Sequence, residues 1–108
     1  MGTLSTHVLD TSLGAPAAGI GVVLESLDGT AVGDGVTDGD GRVASIGPEL
    51  LEAGDYRLRF ASGAYFAARD VAAFYPEVVV VFTVADGGQH YHVPVLLNPF
   101  GYSTYRGS

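Results

Sequence analysis

Three imidazoles and one guanidinium are the groups in this chain best suited to moving a proton and holding a polarised oxygen. His90 and His92 lie two apart in a segment of strand-forming residues, so their side chains share one strand face while Tyr91, Val93 and Val95 take the other. His7 sits in the first apolar stretch, and Arg42 follows the tight turn Asp38-Gly39-Asp40-Gly41. Histidine titrates near neutral pH and can take a proton from water. Water activated in this way needs an electrophilic carbonyl held by a cation, and the planar fork of arginine matches paired oxygens. Two other uses of the same residues stay open at this point. Zinc takes three or four ligands with tuned outer partners, for which a His-x-His pair is thin support. The histidines can also simply fill a strand face.

The elements that must position these groups are short strands broken by glycine-bearing turns. Leu4 to Thr11 reads as a first strand and Ile20 to Leu27 as a second. Asp28-Gly29 is a hairpin signal leading into Thr30 to Thr37. A strand over Arg42 to Ile46 follows the Asp-Gly-Asp-Gly turn, then a polar-edged loop from Gly47 to Gly54. Tyr56, Leu58 and Phe60 alternate with Arg57 and Arg59, the pattern of a half-buried strand. The alanine-rich stretch Tyr65 to Phe74 predicts one short helix of about two turns. Glu77 to Val84 is almost continuously apolar, which predicts cover on both faces. Gln89 to Leu97 is the penultimate strand, where Pro94 predicts an edge or a bulge, and a last short strand follows Pro99. Seven to eight short strands with one short helix predict an all-β sandwich. The chain of 108 residues predicts a single domain spanning 1–108.

Composition narrows the partners. The net charge is −7, and all five cationic residues are arginines, so no basic stripe is available for phosphate backbones and nucleic acid is not an expected partner. There is no cysteine, which removes disulfides and thiolate chemistry. No secretory signal is visible, and the longest apolar stretch is far too short to span a bilayer. A cytoplasmic protein with no membrane partner is the expectation. Hydrophobic residues make up 47% of the chain and charged residues 16%, a balance that predicts burial between subunits. Taking Asp38 as the first position of a calcium loop puts Arg42 fifth and Val43 sixth, where a ligand and a glycine are needed, so the segment reads as a turn.

The two ends are more specific than the middle. Thr6-His7-Val8-Leu9-Asp10-Thr11-Ser12-Leu13-Gly14-Ala15-Pro16-Ala17-Ala18-Gly19-Ile20 resembles the N-terminal signature of the 5-hydroxyisourate hydrolases, the transthyretin-like enzymes of purine breakdown. The run from His90-Tyr91-His92-Val93-Pro94 to Tyr105-Arg106-Gly107-Ser108 resembles their C-terminal signature. The resemblance implies a transthyretin-like (prealbumin-like) β-sandwich and a metal-independent hydrolase with no cofactor. The implied substrate is 5-hydroxyisourate, and the implied assembly is a homotetramer, a dimer of dimers with sites where subunits meet. It implies that His7, Arg42 and His92 are catalytic and that Arg42, Tyr105 and Ser108 bind substrate, with His90 in a supporting role at most. Asn98 stands where serine is usual and Val95 where leucine is common, and neither belongs to the implied site.

Two rival functions share this architecture. A transthyretin-type carrier resembles the chain in fold but lacks the set of His, Arg, His and Tyr-Arg-Gly-Ser. The stretch from Gly35 to Leu58 also resembles generic, non-catalytic prealbumin-like modules, so the discrimination rests on the two ends.

Overall fold

A computed structural model describes residues 4–107. Its strands form wherever the sequence alternates or runs apolar. β1 (Leu4–Asp10) turns Leu4, Thr6, Val8 and Asp10 inward and leaves Ser5, His7 and Leu9 half-buried on the other face. After β2 (Ala15–Pro16), the hairpin of β3 (Gly21–Ser26) and β4 (Ala31–Val36) turns at Asp28-Gly29. There Gly29 takes a φ of +91° and the Asp28 carboxylate accepts the Thr30 N–H at 2.9 Å. β5 (Arg42–Val43) and β6 (Gly54–Phe60) precede the helix α1 (Ser62–Ala67). β7 (Val78–Val84), β8 (Tyr91–Asn98) and β9 (Gly101–Thr104) complete the chain. β2 and β5 have two residues each, so seven full strands carry the fold.

The strands make two sheets. One has the order β2-β1-β8-β9, with β5 also paired to β1, and the other has the order β4-β3-β6-β7. β1 and β8 run parallel, whereas the other pairs are antiparallel. Leu4, Val8, Val93, Val95 and Leu97 from the first sheet meet Val22, Leu24, Leu58, Phe60, Val78 and Val84 from the second in one buried core. This is the two-sheet β-sandwich that the strand pattern predicted. No described helix is long and apolar enough to cross a membrane.

Several local expectations are corrected. The helix begins earlier and is shorter than Tyr65 to Phe74. It exists to bury Tyr65 and Phe66, and it ends where Asp70 enters the left-handed region at φ +56° and Val71 N–H returns to the Phe66 carbonyl at 3.0 Å. Only Arg42 and Val43 pair as a strand, although Ile46 N–H still reaches the Leu4 carbonyl. Val79 and Val81 are exposed within the chain, so β7 is covered on one face only. Pro94 is neither on an edge nor in a bulge. β8 lies inside its sheet, and the pairing with β9 stops at Val95↔Thr104 and resumes in the same register at His92↔Gly107. The missing Pro94 N–H accounts for the gap, and Thr104 Oγ1 donates instead to the Pro94 carbonyl at 2.8 Å.

One buried carboxylate ties the helix to β1. Asp10 accepts the Tyr65 hydroxyl at 2.7 Å, the Ser12 hydroxyl at 2.5 Å and the Ser12 N–H at 3.0 Å. Burial alone would raise its pKa, but the Ser12 and Tyr65 hydrogen bonds outweigh it and hold the carboxyl below its usual value. Burial together with the Asp10 charge pushes the Tyr65 phenol up to about 12. A carboxyl whose folded pKa is depressed adds stability above its unfolded pKa and loses it as pH falls through the folded value. Tyr65→Phe is expected to cost about 1.5–3 kcal/mol in urea unfolding at pH 7. The cost should shrink as acid protonates Asp10, and an equal cost at pH 7 and in acid would contradict this role.

Candidate functional site

The site is built on the outer face of β1 and its two neighbours. On one side His7 stands directly opposite Arg42 of β5. On the other, Ser5 is level with His92 of β8 and His7 is level with Pro94. Directly opposed residues present their side chains on the same face, and so do residues two apart. Ser5, His7, Arg42 and His92 therefore share one surface, with His92 one diagonal step from His7.

Arg42 is delivered by the turn before it. The Asp38 carboxylate accepts the N–H groups of Asp40 at 2.9 Å and Arg42 at 3.0 Å, which closes the turn without any metal. Gly41, at φ +74°, packs so closely on the Val8 carbonyl that a side chain has no room, and the Val8 N–H reaches the Gly41 carbonyl at 2.7 Å. The loop is thus fastened to β1 one residue from His7. The other four guanidinium groups are engaged. Arg57 pairs with Glu25, Arg59 pairs with Glu77 at 3.0 Å, Arg69 stacks on Tyr65, and Arg106 stacks on Tyr91 and donates to Gln89. Among the described residues, Arg42 alone of the arginines has neither a side-chain hydrogen bond, an ion pair nor a ring beneath it.

His92 is half-buried and tightly placed. Its Nδ1 lies 2.7 Å from Ser5 Oγ, which leaves Nε2 as the nitrogen available to a ligand. The same hydroxyl lies 3.0 Å from Nε2 of His90. Gly107 donates its N–H to the His92 carbonyl at 2.8 Å, and a Cβ at Gly107 would fall 2.5 Å from His92 Cδ2. Burial pushes the His92 imidazole below its ordinary pKa, and the Arg42 guanidinium and the neighbouring His7 and His90 rings push it further, against a smaller opposing hydrogen bond with Ser5. At neutral pH this ring is uncharged and able to accept a proton.

A cavity of about 310 Å³ opens on this surface, lined by His7, Leu9, His92, Pro94, Val95, Leu96, Tyr105 and Gly107. A second, mostly apolar cavity of about 320 Å³ lies beneath the tail, among Val80, Phe82, Tyr91, His92, Val93, Tyr105 and Arg106. Tyr105 and His92 wall both. Arg42 lines neither and acts from the rim strand, exposed to solvent. A hollow of about 480 Å³ lies on the opposite sheet over Asp34, Gly35, Val36, Arg59 and Glu77, where Arg59 is already paired with Glu77.

Of the residues singled out in the sequence, His7, His92 and Tyr105 line one cavity, Arg42 stands opposite His7 on the neighbouring strand outside that lining, and Ser108 lies outside the described residues. Ser5 and Gly107 were missed. Ser5 carried a legible signal, since strand alternation puts it on the face of His7. Gly107 carried none, because its role is to leave space for a ring fifteen residues earlier in the chain.

The model of the HIUase/Transthyretin family matches residues 4–107. A 5-hydroxyisourate hydrolase of Salmonella dublin is 47% identical over 97% of this chain and 80% of its own length. The structure of Klebsiella pneumoniae 5-hydroxyisourate hydrolase superposes with a TM-score of 0.91 at 40% identity, covering 98% of this chain and 99% of the other. Sea bream transthyretin in complex with thyroxine superposes with a TM-score of 0.89 at 32% identity, covering 97% and 94%.

Gly107→Ala is expected to displace the His92 ring toward water while the sandwich stays folded. NMR titration of His92 should then move up toward the ordinary histidine value of about 6.5. An unchanged titration would mean that Gly107 does not hold the ring.

Proposed function

Because the chain belongs to the HIUase/transthyretin family, we propose that it hydrolyses 5-hydroxyisourate to 2-oxo-4-hydroxy-4-carboxy-5-ureidoimidazoline. The fold by itself does not choose between enzyme and carrier, since a hydrolase and a thyroxine-bound transthyretin resemble the chain almost equally in shape. The observation that carries the hydrolase reading is the uncommitted Arg42 guanidinium beside two imidazoles on one sheet face, one of them kept uncharged.

In this reading water is held between His7 and His92, and Nε2 of His92 takes its proton. The hydroxide adds to the ring carbonyl, whose oxygen gains charge toward Arg42. Stabilising such an oxyanion typically contributes about 3 kcal/mol per donor. The carbon–nitrogen bond of the six-membered ring then breaks, and one of the two histidines returns a proton to the departing nitrogen. Tyr105 closes the side of the cavity next to His92. Hydrolysis needs no cofactor in this scheme.

The working form in this proposal is a homotetramer, a dimer of dimers, with the cavity walled by neighbouring subunits. Supporting it, Leu13, Phe74, Phe100 and Val81 are largely exposed on the single chain, and the cavity beside His92 is open to solvent.

The test begins by generating 5-hydroxyisourate with urate oxidase and following the loss of its ultraviolet band. The protein should speed that loss beyond spontaneous decay. His92→Asn should leave the fold intact and slow turnover roughly 100-fold or more. A variant with near-normal turnover would overturn the assignment. Dilution to monomers, followed by sedimentation at assay concentration, should abolish activity, and a fully active monomer would contradict the shared site.

A further inference from the structure

We infer that Ser5 is a positioning residue that joins His92 to the exposed His90 in a proton relay, through which the proton taken up at the cavity passes to solvent. This inference rests on the hydrolytic reading above. Ser5 Oγ is the shared partner of both rings, 2.7 Å from His92 Nδ1 and 3.0 Å from His90 Nε2. Both separations are within hydrogen-bond range. A hydroxyl has one proton and two lone pairs, so it can accept from one imidazole while donating to the other.

The transfer balances as follows. Nε2 of His92 gains a proton from water at the cavity. His92 Nδ1 passes its own proton to Ser5 Oγ as the Ser5 hydroxyl proton moves to His90 Nε2. His92 ends neutral in its other tautomer, and the charge resides on His90, which is exposed and exchanges with buffer. The relay resets by running in reverse: His92 gives its Nε2 proton to the departing nitrogen as the Ser5 hydroxyl proton moves to His92 Nδ1 and a proton that His90 Nε2 has taken from buffer moves to Ser5 Oγ. The direction follows from the charges that face His92. Arg42 and His7 lie together at one level of the sheet, and charge on His92 is disfavoured by Arg42 most, by His7 next and by His90 least. His90 lies on the side of His92 away from that level, just before β8 begins. A relay toward it therefore moves charge away from the guanidinium and leaves Arg42 to the substrate. A serine that only satisfied a strand face would need one partner, whereas Ser5 has two titratable ones.

Ser5→Ala, Ser5→Thr and His90→Phe test the relay, each first checked for wild-type circular dichroism. Ser5→Ala and His90→Phe should lower kcat about tenfold or more, within the range of a lost proton-transfer step, and leave KM nearly unchanged. Added imidazole should restore much of the His90→Phe rate. Ser5→Thr, which keeps the hydroxyl, should retain most of the turnover. Wild-type kcat in Ser5→Ala or His90→Phe would overturn the relay, as would a loss in His90→Phe that imidazole does not relieve. Nitrogen-15 NMR of the resting protein reads the same contact without substrate. The hydrogen-bonded His92 Nδ1 signature should vanish in Ser5→Ala and persist in Ser5→Thr, and its survival in Ser5→Ala would also overturn the inference. An inactive wild-type protein would instead sink the hydrolytic reading, with the NMR comparison still deciding whether Ser5 bridges the two rings.

Discussion

The pairing of β1 on both of its sides is the constraint on which the site depends. Hydrogen bonds to β5 put Arg42 opposite His7, and hydrogen bonds to β8 put His92 beside Ser5. Those ladders hold the backbone in register, and strand alternation then commits Ser5 and His7 to the outer face and Leu4, Thr6, Val8 and Asp10 to the core. The core enforces that choice, since slipping β1 by one residue would bury Ser5 and His7 and expose Leu4 and Val8. The burial that stabilises the sandwich and the convergence of the reactive groups are one arrangement seen from two faces.

Charge is distributed to the same end. In a chain of net charge −7, four of five arginines are spent on carboxylates, rings or an amide, and the fifth stands beside imidazoles. Glu25, buried on the far sheet, takes Arg57 and lies 3.7 Å from Arg59. The positive field near His92 therefore arises locally and against the sign of the whole molecule. A half-buried ring responds to such a field more than an exposed one, because less water screens it.

Much of this was legible in the sequence. The sandwich followed from period-two alternation and glycine-bearing turns, and the turn at Asp38 followed from the mismatch to a calcium loop. Resemblance at the two ends pointed to His7, His92 and Tyr105, and the match of Asp40-Gly41-Arg42 to a family motif pointed to Arg42, before any geometry was known. What stayed hidden depended on contacts between distant segments. The helix was misplaced because alanine content speaks for propensity, whereas burial of Tyr65 and Phe66 sets where the helix lies. Pro94 suggested an edge because a proline cannot donate. In the fold its missing N–H leaves a short gap in the ladder with β9, which resumes in register at His92↔Gly107. Ser5 was readable by parity, but its bond to two histidines required the parallel register of β1 with β8.

The shortness of β5 has a consequence for how this chain can vary. With two paired residues, β5 carries no long alternating pattern of its own, so the outward direction of Arg42 is inherited from the number of residues in the turn that fastens it to Val8. Inserting or deleting one residue there would point the guanidinium into the core and bring Val43 or its neighbour to the surface. Drift in that segment can exchange side chains more freely than it can change spacing, because a gap in the turn would withdraw the guanidinium from the imidazole opposite it.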